Sequence, residues 1–300
     1  MVAIGIMLGL GAAAGQSLSY LFSRLYVLRS SGAVVRLLIL GHVFMGVMSL
    51  AILPMLPLKH LPPLSTYAWP LAAATGFYLL GQVGMFVALR YTEASRASPL
   101  LGLKIAILAV VSSFYFHHNI SPVQWLAVVA AVIAALMLRT SGGQMSGKTV
   151  AAITLACIAY SISDINITAL VLSLRALGPV ASTMTAVVFC YLISGALGLA
   201  LLPWAGRPNG HDWRYALPWA ASWFGAMLLL FACFGSIGVV FGNIVQSTRG
   251  LISLGLGVLI SVAGHVHLEK KVPASVWLKR GIATLLMCGA VALYIWGKPK

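Results

Sequence analysis

Acidic residues are nearly missing from this chain: Glu93, Asp164, Asp212 and Glu269 are the only four in 300 positions. Charged residues of both signs make up 8% of the sequence, against 61% from the set AVILMFWYC. Ordinary soluble domains carry about a quarter charged residues, and a surface wetted by water needs them, so an aqueous globular domain is excluded. Four scattered carboxylates also exclude an enzyme built on a carboxylate-rich metal site. Cysteine is scarce as well. Cys157, Cys190, Cys233 and Cys288 lie in apolar stretches without CxxC spacing, which reads as helix packing and not as disulfides or metal ligands. Long polar stretches are missing too: those near 140–148 and 204–213 are the longest, which leaves no room for an extramembrane domain. The net charge of +15 contains no basic run longer than two residues, so nucleic-acid binding is not indicated.

Long apolar runs are what the chain has. About 20 apolar residues carry a helix across the hydrocarbon layer. Ten such segments can be marked, at 3–23, 33–56, 67–89, 97–116, 121–139, 149–173, 180–203, 214–234, 236–264 and 275–296. A membrane β-barrel would show short alternating strands instead. The expected fold class is an all-α polytopic membrane protein. Ala12–Gly15 imitates a signal-peptide cleavage site, but no basic stretch precedes it, so the first segment is expected to stay as a helix.

The ten segments read as one five-helix unit written twice. At a shift of 144–152 residues, Gly15-Gln16-Ser17-Leu18-Ser19-Tyr20 aligns with Ala159-Tyr160-Ser161-Ile162-Ser163-Asp164. Gly32 aligns with Gly178, Pro54 with Pro203, Gly81 with Gly225, and Pro122 and Trp125 with Pro273 and Trp277. The ordered matches predict repeats over 1–139 and 149–300, joined by a linker at 140–148. An odd number of helices per repeat inverts the second copy in the membrane. Inverted repeats are a recurring design of secondary transporters, with the substrate site near the midplane and alternating access by rocking of the halves.

The tightly coupled third and fourth segments, Ala88-Leu-Arg-Tyr-Thr-Glu-Ala-Ser-Arg-Ala-Ser-Pro99, have a later counterpart in Phe234-Gly-Ser-Ile-Gly-Val-Val-Phe-Gly-Asn243. In these residues and in its layout the chain resembles the drug/metabolite transporter superfamily, in its ten-helix EamA-like branch. The resemblance implies export or import of small metabolites, amino acids or amphiphilic compounds, and in some relatives exchange of phosphorylated sugars.

Ionisable groups inside a bilayer are costly and face the bundle interior or a water-filled cavity. Lys104 and Arg249 are two such cations, and they occupy equivalent positions in the two repeats within one residue. Together they suit a substrate bearing carboxylate or phosphate; the alternatives are pairing with Asp164 or, for Lys104, reaching the interface. Asn243, Gln246, Arg249 and Ser253 follow at spacings of three, three and four, on one helix face. Such a stripe either lines a cavity or bonds neighbouring helices. Tyr160, Asp164 and Thr168 form a second stripe, matched by Gln16, Tyr20 and Arg24. Substrate binding is expected at Arg249, Lys104, Asn243, Gln246, Tyr20 and Tyr160. Asp164 can couple protons, bind a substrate ammonium or pair with a cation. His42 can relay protons, though a lone buried His more often makes one satisfied hydrogen bond. His117-His118 has no third ligand nearby for a metal. Glu93 and Arg96 read as caps of the fourth helix. Tyr78, Trp219 and Trp223 read as stacking groups or interfacial belt residues. Gly235, Gly238 and Gly242 mark a candidate hinge.

Loops after odd-numbered segments hold thirteen cations, Arg24, Arg29 and Arg36 among them; the other side holds Lys59, Arg175, Lys298 and Lys300. The positive-inside rule then places both termini outside, whereas the resemblance implies termini inside. An intramembrane enzyme is disfavoured by the lack of HExxH, GxSxG and paired intramembrane acids. No Walker A sequence is present for ATP-driven pumping. The expected activity is secondary active or facilitative transport of a small organic metabolite, leaning to carboxylate-, phosphate- or amino-acid-type solutes. The alternative is a lipid or lipid-intermediate translocase on the same fold. Expected partners are the solute, a proton as optional coupling ion and the lipid bilayer, with no cofactor and no metal. The chain is expected as a monomer or homodimer in a bacterial inner membrane.

Overall fold

The computed structural model describes residues 2–29, 34–92, 97, 100–101, 103–104, 107–108, 121–140, 145–262 and 273–297. Glu93, Arg96, His117, His118, Glu269 and most of the fourth segment lie outside the described residues. Within them the chain forms α1 (Val2–Arg29), α2 (Val34–Ile52), α3 (Leu64–Tyr91), α4 (Pro122–Thr140), α5 (Gly147–Ser173), α6 (Pro179–Leu201), α7 (Gly210–Ser247), α8 (Arg249–Val262) and α9 (Ala274–Trp296). No strand occurs among the described residues. Seven helical stretches there are long and apolar enough to cross a membrane.

Local chemistry sets the ends of these helices. The second segment stops as an α-helix at Ile52 and tightens into a 3₁₀ turn, Leu53–Met55, where Pro54 removes a backbone donor. At α5, the Ser146 hydroxyl accepts from Thr149 N at 3.2 Å. Gly178, at φ +89°, leads into Pro179 as the first residue of α6. The eighth segment starts at Gly210 and not at 214, because Asn209 and Asp212 cap the helix reciprocally. Asp212 N donates to Asn209 Oδ1 at 2.9 Å and Asn209 N to Asp212 Oδ2 at 3.0 Å. The first helix likewise runs past residue 23 and carries Arg24 within it, half-buried, with Nη1 donating to the Leu89 carbonyl at 3.3 Å.

Of the three hinge glycines, Gly238 carries the break. Its φ of +79° and ψ of 162° interrupt an otherwise helical path through α7, in a region of backbone space that only glycine occupies readily. One stretch, Gly210–Val239, runs up to and just past the break and another, Phe241–Ile260, follows it.

The closest packing joins early helices to late ones: α1 lies against α7, α3 against α5, α2 against α6 and α4 against α9. Lipid supplies no hydrophobic drive between helices, so close backbone approach through small residues matters. On the α2–α6 seam, a Cβ added to Gly195 would stand 2.5 Å from Gly46 Cα. Outer faces carry exposed Met7, Val47, Leu50, Trp69 and Leu199, while Tyr20, Phe86, Tyr191 and Trp219 are fully buried between helices. At one end of the bundle, Arg36 Nη1 meets Asp212 Oδ2 at 3.0 Å and Arg36 Nε donates to the Ala205 carbonyl at 2.7 Å. Arg36, counted above as a loop cation, therefore belongs to a helix start and is engaged across helices.

Candidate functional site

Inside the bundle a cavity of about 20 Å³ is lined by residues of α1, α3, α5, α7, α8 and the fourth segment, Gln16, Tyr20, Lys104, Tyr160, Asp164 and Arg249 among them. That volume holds about one water, so a solute enters only when helices part. Lys104, Asp164 and Arg249 are all at least nine-tenths buried.

The two cations are held by contacts built alike. Lys104 Nζ meets Asp164 Oδ2 at 2.5 Å and stands 5.6 Å from the centroid of the Tyr160 ring. The backbone carbonyl of Lys104 accepts from Ser161 Oγ at 3.3 Å. Arg249 Nη1 donates to Gln16 Oε1, and its guanidinium stands 5.7 Å from the centroid of the Tyr20 ring. The backbone carbonyl of Arg249 accepts from Ser17 Oγ at 3.2 Å. Both serines also bond back to their own helices, Ser17 to Ala13 and Ser161 to Cys157.

One difference separates the two half-sites. Lys104 has a carboxylate; among the described residues no carboxylate lies within 4 Å of Arg249. Arg249 Nε, Tyr20 Oη and Tyr160 Oη are buried without a hydrogen-bond partner among the described residues. Buried polar groups of this kind are costly unless something bonds them. The lining residues carry two positive groups and one negative.

An aromatic column forms the wall towards α2 and α6. Trp223 lies 5.8 Å from Tyr20 and 6.1 Å from Tyr78, centroid to centroid, and its Nε1 donates to Tyr191 Oη at 2.9 Å. Tyr78, Trp219 and Trp223 are buried, which removes them from any interfacial belt; Tyr78 and Trp223 line the cavity, and Trp219 stacks behind. His42 also sits behind this wall, with both ring nitrogens engaged. Nδ1 donates to the Leu38 carbonyl at 2.7 Å, which leaves Nε2 to accept from Tyr78 Oη at 3.1 Å. Gln82 Nε2 donates to the same phenol at 2.9 Å.

Of the expected substrate-binding residues, Arg249, Lys104, Tyr20 and Tyr160 converge on the cavity together with Asp164. Asn243 and Gln246 are buried elsewhere: Asn243 Nδ2 donates to the Val239 carbonyl and Gln246 Nε2 to the Gly9 carbonyl of α1. Ser253 bonds Ser17 at 3.0 Å, so Gln246 and Ser253 tie α7 and α8 to α1, while Asn243 bonds within its own helix. Gln16, Ser163, Ile167, Met227 and Leu230 join the lining without having been singled out as binding residues. Gln16 had a signal, its place one turn before Tyr20. All four cysteines are free thiols, and no cluster able to hold a metal ion occurs among the described residues.

Membrane-length helices packed around a buried, charged cavity define an integral multi-pass membrane protein. Residues 3–140 match the EamA-like transporter family. That stretch, just under half of the chain, is thus similar to the EamA-like transporters of the drug/metabolite transporter superfamily. The fold has 27 matches among solved chains. One, a crystal structure 16% identical in sequence, covers 98% of this chain and 96% of its own with a TM-score of 0.63, a likeness of fold alone. No curated protein sequence matches the chain.

Proposed function

We propose that the chain is a secondary carrier of a small organic anion, with an acidic group of the carboxylate, phosphate or amino-acid type received by Arg249. The observation that carries this reading is the guanidinium of Arg249, buried at the cavity with a neutral amide and a phenol ring as its described neighbours. A buried cation without a counter-ion is costly, and an entering anion removes that cost. Arg offers a planar donor fork for a carboxylate or phosphate. Tyr20, Tyr160 and Trp223 supply walls for an apolar body.

Alternating access between two repeats, residues 1–139 and 149–300, is part of the proposal. Two facts support it. Shifting each helix to its counterpart in the other repeat exchanges the pair α1–α7 for α5–α3 and leaves α2–α6 and α4–α9 as they are. The contacts around Lys104 and Arg249 correspond in the same way, Ser161 for Ser17.

The test is a thermal-shift screen of purified protein against small carboxylates, phosphates, amino acids, amines and short-chain phospholipids. Stabilisation by acidic compounds is expected, since a ligand that binds only the folded state raises its melting point. Arg249→Gln should lose that stabilisation. Stabilisation by amines alone or phospholipids alone, or an unchanged response in Arg249→Gln, would overturn the reading.

A further inference from the structure

The likeness of the two half-sites makes their one difference informative. Ser17 and Ser161 each cap the backbone carbonyl of a buried cation, Arg249 and Lys104 respectively, from a facing helix. One position before each serine stands Gln16 or Tyr160; three positions after it stands Tyr20 or Asp164. Gln16 bonds Arg249 and Tyr160 flanks Lys104, so the residues before the serines contact the cations in both half-sites. The residues after the serines differ in kind. Asp164 gives Lys104 a carboxylate at 2.5 Å, whereas Tyr20 gives Arg249 only a ring face at 5.7 Å.

We infer that Asp164 is a resident anion that fills one of two anion half-sites and so limits the carrier to ligands with a single negative charge. This rests on the reading of Arg249 as an anion site. The charge balance among the lining residues is two cations and one carboxylate. A monoanion at Arg249 brings the balance to zero. A dianion brings it to minus one, and its second acid group finds Lys104 already held. To reach Lys104 it must displace Asp164, leaving a buried carboxylate unpaired, which is the more costly state. Selectivity then comes from a built-in repulsive element as much as from an attractive one. Asp164 acts on the ligand through charge at a neighbouring half-site, as a specificity-determining residue.

The test uses matched probes in purified full-length protein: hexanoate against adipate, and benzoate against isophthalate, at pH 7.4. Apparent affinities come from the concentration dependence of the melting temperature. The unaltered protein should favour each monoanion over its dianion by at least about tenfold, the scale of one buried like-charge contact. Asp164→Asn should lower that ratio by at least about tenfold, chiefly through tighter dianion binding. Asp164→Glu, which keeps the charge, should restore the preference.

Asp164→Asn leaves Lys104 without its partner, so a second variant guards against loss of folding. Tyr20→Asp places an acid at the equivalent position beside Arg249 and should weaken both monoanions by at least about tenfold, with a cooperative melt retained. The two levels fail differently. Absence of anion binding by the unaltered protein, or binding untouched by Arg249→Gln, overturns the anion site and this inference with it. Anion binding lost in Arg249→Gln, with an unchanged ratio in Asp164→Asn or full monoanion binding in Tyr20→Asp, overturns the valence assignment alone.

Discussion

Lys104 and Arg249 are two buried cations with different debts to their neighbours. Removing the charge of Lys104 strands the Asp164 carboxylate, which lies 2.5 Å away; breaking such a buried pair costs roughly 3–5 kcal/mol. Removing the charge of Arg249 leaves Gln16 and Tyr20, both neutral, so the cost is roughly that of ordinary lost hydrogen bonds, about 1–3 kcal/mol. Lys104→Gln should therefore melt well below Arg249→Gln when followed by tryptophan fluorescence in detergent. Equal melting points, or the reverse order, would mean that the ion pair does not hold the charges described. A second residue supports the site from behind. A Cβ added at Gly81 would stand 2.5 Å from Tyr160 Cδ1, so Gly81→Ala should drive the ring towards Lys104. Overpacking of that kind costs about 1–3 kcal/mol, and the anion-dependent rise in melting temperature should shrink with it.

At the scale of elements, the break in α7 separates conformational strain from packing. Gly238 has φ +79° and nothing within 4 Å of an added Cβ. Gly238→Ala therefore adds backbone strain alone, about 1–3 kcal/mol. Gly225, in the same helix, also has open space beside it but no positive φ. Gly225→Ala should be neutral or stabilising by up to about 1 kcal/mol. Thermal unfolding of the two variants side by side checks this, and equal effects would argue against the positive-φ backbone at Gly238. The long polar stripe, 243–253, follows this break and runs from the end of α7 into α8. Gln246 and Ser253 serve α1, Asn243 closes on its own helix near Gly238, and Arg249 alone reaches the cavity.

For the whole molecule, the strongest helix pairings run between early and late parts of the chain. The α2–α6 seam closes with Gly195 against Gly46, and Arg36 with Asp212 ties α2 to the start of α7. Neither part of the chain should be stable alone. Cut within 140–148 and co-expressed, the two pieces should co-purify on a single affinity tag, and each piece expressed alone should be degraded. Independent accumulation of either piece would show that the pairings across the chain are not what holds it together.

Membrane insertion and helical class were legible along the chain, because run length and polarity are local properties and lipid admits few alternatives to a helix. The break near Gly238 was legible within a few residues for the same reason: glycine clusters where backbone must leave ordinary space. Lys104, Arg249, Asp164, Tyr20 and Tyr160 were legible as polar groups in apolar runs, and the possible pairing of Lys104 with Asp164 followed from opposite charge. What sequence spacing cannot supply is the rotation of each helix and the identity of the neighbour it meets. Asn243 and Gln246 share a face with Arg249, yet a stripe several turns long passes more than one neighbour, and only the packed bundle decides which turn meets the cavity. The same holds for Trp223, Tyr78 and Gln16, whose place in the wall depends on helices distant in sequence. That Asp164 meets Lys104 while, among the described residues, no carboxylate lies within 4 Å of Arg249 is likewise a fact of packing, since spacing along the chain does not say which helices meet.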